Sequence, residues 1–145
     1  MPDLSTQSIV IHADPAQVMA VIADFASYPE WTGAIKSVDV TVPGEPGRAR
    51  QVKYVMDAGL LKDTYELAYS WAPDGLSVSW TLVSGTLQKS QRGSYRLQPV
   101  TDGTEVTYSL NVEPSIPLIG PLRRKAERSI LDTALKELRK RVENA

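Results

Sequence analysis

The amino-acid sequence predicts an α+β fold in which a curved, seven-stranded antiparallel sheet grips one long C-terminal helix. Three observations predict it. From residue 35 to residue 112 apolar and polar positions alternate with a period of two, and turn clusters interrupt the alternation at short intervals. Residues 14–31 carry the signals of two short helices. The segment Leu122–Val142 returns to a helical period, with an apolar residue at every fourth position and charges between.

The elements follow in order. Residues 5–12 read as a first strand with Gln7, Ile9 and Ile11 on one face. Asp14-Pro15-Ala16-Gln17 starts a helix: Asp14 accepts from free backbone N–H groups, Pro15 suits the first helical position, and Gln17 reaches back as in a capping box. Val18, Val21, Ile22 and Phe25 form its apolar face. A second helical turn spans residues 26–31, and Pro29 is expected to push Tyr28 out of helical geometry. Val38, Val40 and Val42 mark the second strand, and Pro43 to Gly47 a turn. Strand three carries Val52, Tyr54 and Met56 on one face; strand four carries Tyr65, Leu67, Tyr69 and Trp71; strand five Leu76, Val78, Trp80 and Leu82. Strand six places Lys89, Gln91, Gly93, Tyr95 and Leu97 on one side, and strand seven Val106, Tyr108, Leu110 and Val112. Each strand has one polar face, as in a sheet wetted on one side only. The apolar side needs a cover. The helix stripe Leu122, Ala126, Ile130, Ala134, Leu138 and Val142 is roughly 30 Å long at 1.5 Å per residue and can supply it.

The bulk properties exclude several function classes. The 145 residues suit one domain, 1–145, and the net charge of −1 gives no reason to expect nucleic acid as a partner. There is no cysteine, hence no disulfide, thiol nucleophile or cysteine metal site. The single histidine, His12, has outward parity, so neither a Ser-His-Asp triad nor a metal site is expected. No cofactor is expected, because no glycine-rich nucleotide loop occurs. No apolar run is long enough to span a bilayer, and the first residues lack a basic, then apolar, leader pattern; a cytoplasmic location is expected. The last helix holds eight of the sixteen basic residues, with Asp132–Lys136 and Glu137–Arg141 spaced as ion pairs on a solvated face.

The inward-facing residues point to a cavity. Five of the six tyrosines share the covered side of the sheet, and a covered phenol needs a polar partner. Ala126, Ser129, Thr133 and Ala134 leave room beneath the helix. The expected lining is Tyr54, Met56, Tyr65, Leu67, Tyr69, Trp71, Val78, Trp80, Lys89, Gln91, Tyr95, Tyr108, Leu110, Ala126 and Ile130. Lys89 would neutralise a ligand carboxylate or polarise a carbonyl, or else snorkel at the sheet rim, and Arg50 has the same two readings. Asp63 shares the inward parity at the strand mouth. No catalytic residue is assigned. Two apolar loops, 59–62 and 114–121, either gate the cavity or meet a partner or membrane.

The stretch Ala13-Asp14-Pro15, Val18, Ile22-Ala23-Asp24-Phe25 and Tyr28-Pro29-Glu30-Trp31, followed by Gly93-Ser94-Tyr95-Arg96-Leu97 and Gly103-Thr104-Glu105-Val106-Thr107-Tyr108, resembles the START-like (SRPBCC, helix-grip) superfamily. Within it the chain is similar to the bacterial polyketide cyclase/dehydrase and coenzyme-Q-binding branch. The resemblance implies a helix-grip fold and a cavity for lipids, polyketides or isoprenoids. The expected function is to bind such a hydrophobic molecule as carrier or sensor. Alternatives are a polyketide cyclase, aromatase or dehydratase using the same cavity, and a protein-interaction module with a vestigial one. The expected partner is an apolar small molecule, with a monomer or weak dimer and at most transient membrane contact. Trp31 is expected to plug one end of the core, and Asp24 to satisfy backbone groups at a helix end.

Overall fold

A computed structural model describes residues 5–57, 62–115 and 120–144. Leu60, Leu61 and residues 116–119, the apolar parts of the two loops, lie outside the described residues. The elements are β1 (Ser5–Ile11), α1 (Pro15–Ala23), a 3₁₀ turn (Phe25–Ser27), α2 (Tyr28–Trp31), β2 (Ile35–Val42), β3 (Gln51–Asp57), β4 (Lys62–Trp71), β5 (Ser77–Gly85), β6 (Gln88–Val100), β7 (Gly103–Pro114) and α3 (Gly120–Glu143). The seven strands form one antiparallel sheet in the order β1-β7-β6-β5-β4-β3-β2. Consecutive strands pair, except that β1 closes onto β7. This is the helix-grip arrangement.

Local chemistry accounts for the element ends. The α1 capping box forms in full: Gln17 N–H donates to Asp14 Oδ1 at 2.9 Å, and Asp14 N–H to Gln17 Oε1 at 3.2 Å. The helix breaks at Asp24 (φ −85°, ψ 70°), four residues before the expected position, while Tyr28 is helical at φ −53°, ψ −42°. Pro29 sits in the first turn of α2, where its missing N–H would have been unpaired in any case. The Asp24 carboxylate makes no capping bond; its backbone N–H bonds Val21 O. Gly75 turns β4 into β5 at φ +73°, a value that suits glycine.

The helix stripe is corrected by the structure. Leu138 and Val142 are buried, but Leu122, Ala126 and Ile130 are exposed, and the face against the sheet is Glu127, Leu131, Leu135, Leu138 and Val142. The reason is geometric. Four residues turn a helix through 400°, so a strict four-residue repeat drifts by about 40° per step and by about 200° over five. One straight stripe must alternate steps of three and four. This face rests on β1 and β7, at one end of the sheet, and does not cross the whole concave surface. Glu127 is only 2 % exposed; it accepts from Ser5 Oγ at 2.8 Å and from Val112 N–H at 2.6 Å, pinning the helix to both strands. Among the expected helical ion pairs, Asp132–Lys136 forms at 3.1 Å. Arg141 instead pairs across the fold with Glu30 of α2 at 3.1 Å, and Glu137 accepts from Gly33 N–H. On β2, Val40 and Val42 are exposed, because an edge strand with bulges near both ends overhangs the core.

Candidate functional site

The middle of the sheet is floored with aromatic rings. Alternation along β3 to β7 sends Tyr54, Tyr65, Tyr69, Trp71, Trp80, Tyr95 and Tyr108 to one side. They form a connected surface: Tyr54 stacks on Tyr65 at 5.3 Å, Tyr69 meets Trp80 at 5.8 Å, Trp80 meets Tyr95 at 5.5 Å and Tyr108 at 5.7 Å, and Tyr95 lies 4.5 Å from Tyr108. Gly93 makes the centre possible. A Cβ there would stand 2.4 Å from Trp80 Cζ2, so only glycine lets the indole lie across β6. At the α1–α2 end Phe25 and Tyr28 close on Tyr69 and Tyr54. Tyr28 also packs against Trp31, which is half-buried at this end as expected.

These rings are crowded by protein yet keep some contact with solvent. Burial pushes the phenols of Tyr28, Tyr54, Tyr65, Tyr69, Tyr95 and Tyr108 well above the ordinary value of 10.0. Yet Tyr28, Tyr65, Tyr69 and Tyr95 keep accessible surface. Some phenols are paired: Tyr28 donates to Ile22 O, and Tyr54 and Tyr69 share a hydrogen bond. Those of Tyr65, Tyr95 and Tyr108 have no hydrogen-bond partner among the described residues. The described buried side-chain atoms without a partner are Trp31 Nε1 and Arg123 Nε, so the three phenol oxygens stand within reach of solvent. They are open polar groups over an apolar floor.

A polar chain runs from this floor to the sheet end. Trp80 Nε1–H donates to Gln91 Oε1 at 2.9 Å, Gln91 Nε2–H to Gln88 Oε1 at 2.6 Å, and Gln88 Nε2–H to Asp63 Oδ2 at 2.9 Å. Here the strand-six expectation fails. Lys89 is exposed and does not face the aromatic floor. The β6–β7 register shifts between Gln88 and Ser90, and this bulge reverses the alternation so that Gln88 takes the inward place. Arg50 is likewise exposed. Asp63 is buried and also accepts from Thr86 and Leu87 N–H, which ties down the β5–β6 turn. Burial raises its pKa, but the hydrogen bonds from Thr86, Gln88 and Leu87 outweigh it and hold the carboxyl below the usual 3.8. Asp63→Asn is therefore expected to cost about 2–3 kcal/mol at neutral pH. That contribution is present above the unfolded carboxyl's pKa of about 3.9 and fades as pH falls through the lower native value. Urea melts of both proteins at neutral pH and near pH 2 check it; a difference that does not shrink in acid would contradict it.

Ala126 and Ile130 occupy a second side of α3. Positions 123, 130 and 137 are seven residues apart and share nearly one bearing. Glu137 reaches Gly33 at the α2–β2 junction, at 3.1 Å, so this side faces that junction. Ile130 is 45 % exposed and does not pack on the sheet. The remaining expected residues are placed as follows: Leu67, Val78 and Leu110 are buried on the same face as the rings, Met56 is half-buried on β3, and Trp71 donates to Ala49 O at 2.8 Å. Glu127 and Gln88 escaped sequence reasoning. A three-four helical count would have found the first; no local signal marks the second.

Two open grooves flank α1 on the outside, of about 680 and 420 Å³, sharing Ala23, Asp24 and Gly47. His12 is exposed, its Nδ1 3.1 Å from Asp102 O. Among the described residues no His, Cys, Asp and Glu cluster could hold a metal ion, and no helix is long and apolar enough to cross a membrane.

Sequence and fold comparisons agree with this geometry. The profile of a family described as polyketide cyclase / dehydrase and lipid transport matches residues 4–143. No curated protein matches the chain. A START superfamily protein from Mycobacterium smegmatis has a similar structure, with TM-score 0.90 and 21% identity over 97% of both chains. A protein of Thermus thermophilus superposes with TM-score 0.81 and 23% identity over 98% of each. The Zhui aromatase/cyclase from Streptomyces sp. R1128 gives TM-score 0.75 and 13% identity, over 97% of this chain and 93% of that one. At such identities the likeness is one of fold.

Proposed function

The chain belongs to the polyketide cyclase / dehydrase and lipid transport family, and from that premise we propose that it binds a hydrophobic small molecule of lipid, polyketide or isoprenoid type in the recess between sheet and α3, as a carrier or sensor. The observation that carries this reading is the set of three phenols, Tyr65, Tyr95 and Tyr108, on an aromatic floor and without a hydrogen-bond partner among the described residues. An apolar body covers the rings, and the phenols meet its few carbonyl or hydroxyl groups. Carriage is favoured over catalysis by the kind of groups present. The phenols are held protonated at neutral pH, the buried Asp63 is engaged by a turn, and the sole histidine lies on the surface.

The test is native mass spectrometry with organic extraction of freshly purified protein. An apolar molecule bound at near-unit ratio is expected. Protein that carries nothing and fails to bind N-phenyl-1-naphthylamine would overturn the reading. Phenylalanine variants add a second check. Tyr95→Phe and Tyr108→Phe are expected to melt within about 0.5 kcal/mol of wild type, because no protein hydrogen bond is lost, while binding of an oxygenated ligand weakens several-fold. Tyr54→Phe, which breaks the bond to Tyr69, is expected to cost about 1 kcal/mol.

A further inference from the structure

We infer that the ligand is an amphipathic anion, and that Arg123 at the recess mouth holds its charged group; this rests on the recess being the binding site. Arg123 and Arg141 are eighteen residues apart, which is five full helical turns, so they share one bearing about 27 Å apart. Arg141 uses that bearing to reach Glu30 of α2. Arg123 uses it over the open end of the recess, on the same side of α3 as Ile130. The Arg123 side chain is half-buried, and its Nε is withdrawn from solvent with no acceptor. The ion pairs among the described residues join Lys62 to Asp57, Lys136 to Asp132 and Arg141 to Glu30, and none of them includes Arg123.

Among the described residues no acid pairs with Arg123. The first turns of α3 carry Arg123, Arg124, Lys125 and Arg128 against one acid, Glu127. Glu127 is turned to the sheet and occupied by Ser5 and Val112. A guanidinium partly removed from water is costly unless an acceptor meets it, and its planar fork matches a carboxylate, sulfonate or phosphate through two parallel hydrogen bonds. The missing acceptor is the ligand's. Its apolar body then runs from Ile130 over the Tyr95 and Trp80 rings. The role of a charge anchor, expected of Lys89 from strand alternation, falls to a residue on the helix.

Two probes that differ in charge test this. 1-Anilinonaphthalene-8-sulfonate and N-phenyl-1-naphthylamine share one skeleton, with and without the anion. The wild type should bind the sulfonate about tenfold more tightly than the neutral amine. Arg123→Gln should remove that preference, weakening the sulfonate about tenfold and leaving the amine within twofold. Arg123→Lys should recover part of it, and Arg124→Gln, at an exposed neighbour, should change neither. Decanoate should displace the amine at lower concentration than decanol, and only while a cation stands at position 123. Thermal melts of each variant exclude misfolding; should Arg123→Gln fail to fold, the wild-type comparison of the two probe pairs decides alone. Amine binding that ignores both ligand charge and residue 123 would overturn the anchor and leave the recess standing. Failure of wild type to bind either probe would overturn the recess as well. Loss of binding to anionic vesicles in Arg123→Gln, with decanoate displacement intact, would assign the cation to a membrane surface and overturn the inference.

Discussion

A protein ending at Glu127 is expected to lose its cooperative melt and to be recovered as a molten or insoluble product. The truncation removes Leu131, Leu135, Leu138 and Val142, all buried against β1 and β7. Each fully buried side chain of this kind contributes about 1.5–3 kcal/mol. The sum, about 6–12 kcal/mol, is comparable to the whole stability of a domain, about 5–15 kcal/mol. It also uncovers much of the apolar face of β1 and β7. Point changes resolve the two sides of the helix. Leu138→Ala, at a side chain with 0 % exposure, is expected to cost about 2–5 kcal/mol. Leu122→Ala, at 53 % exposure, should stay within about 0.5 kcal/mol of wild type. Far-ultraviolet circular dichroism melts and sedimentation measure all three. A truncated chain that stays monomeric and melts sharply would show that α3 is a detachable appendage.

Alkaline pH is expected to unfold the protein abruptly. All six tyrosines have phenols whose native pKa lies above the unfolded value of 10.0, with burial as the first cause. Below about pH 10 both states are protonated, and the tyrosines confer no pH dependence. Above it the unfolded chain releases protons that the folded chain retains, so stability falls as pH rises toward the native values. Each such proton contributes a slope of about 1.4 kcal/mol per pH unit, and six together up to about 8. One to two pH units above 10 therefore suffice to consume a typical domain stability. Tyrosinate absorbance and circular dichroism, followed together, should change in one cooperative step above pH 10. Six phenols titrating independently near pH 10, with the fold intact, would refute the burial of the aromatic floor.

Much of this architecture was legible because side-chain alternation is a local property. A strand's residues point up or down with a period of two whatever surrounds them, so Tyr54, Tyr65, Tyr69, Trp80, Tyr95 and Tyr108 could be placed on one face from spacing alone. The α1 start was equally local, since Asp14 and Gln17 satisfy each other within four residues. Lys89 shows where alternation stops working. A bulge depends on how β6 registers against β7, which no neighbouring residue encodes, and one inserted residue exchanges the faces of everything beyond it.

The C-terminal helix divides in the same way. Its existence and length follow from periodicity, and so does the need for a cover on the sheet. Its rotation does not. Whether Ile130 or Leu131 meets the strands changes with a turn of about 100°, and that angle is set by contacts distant in sequence: Glu127 on Ser5 and Val112, Glu137 on Gly33, Arg141 on Glu30. Among the described residues those contacts leave Arg123 Nε without an acceptor. A pattern of residue types can specify which side chains share a face. Which polar groups remain unpaired depends on every neighbour that three-dimensional packing brings within hydrogen-bond reach, and among the described residues it brings none to the Tyr65, Tyr95 and Tyr108 phenols or to Arg123 Nε.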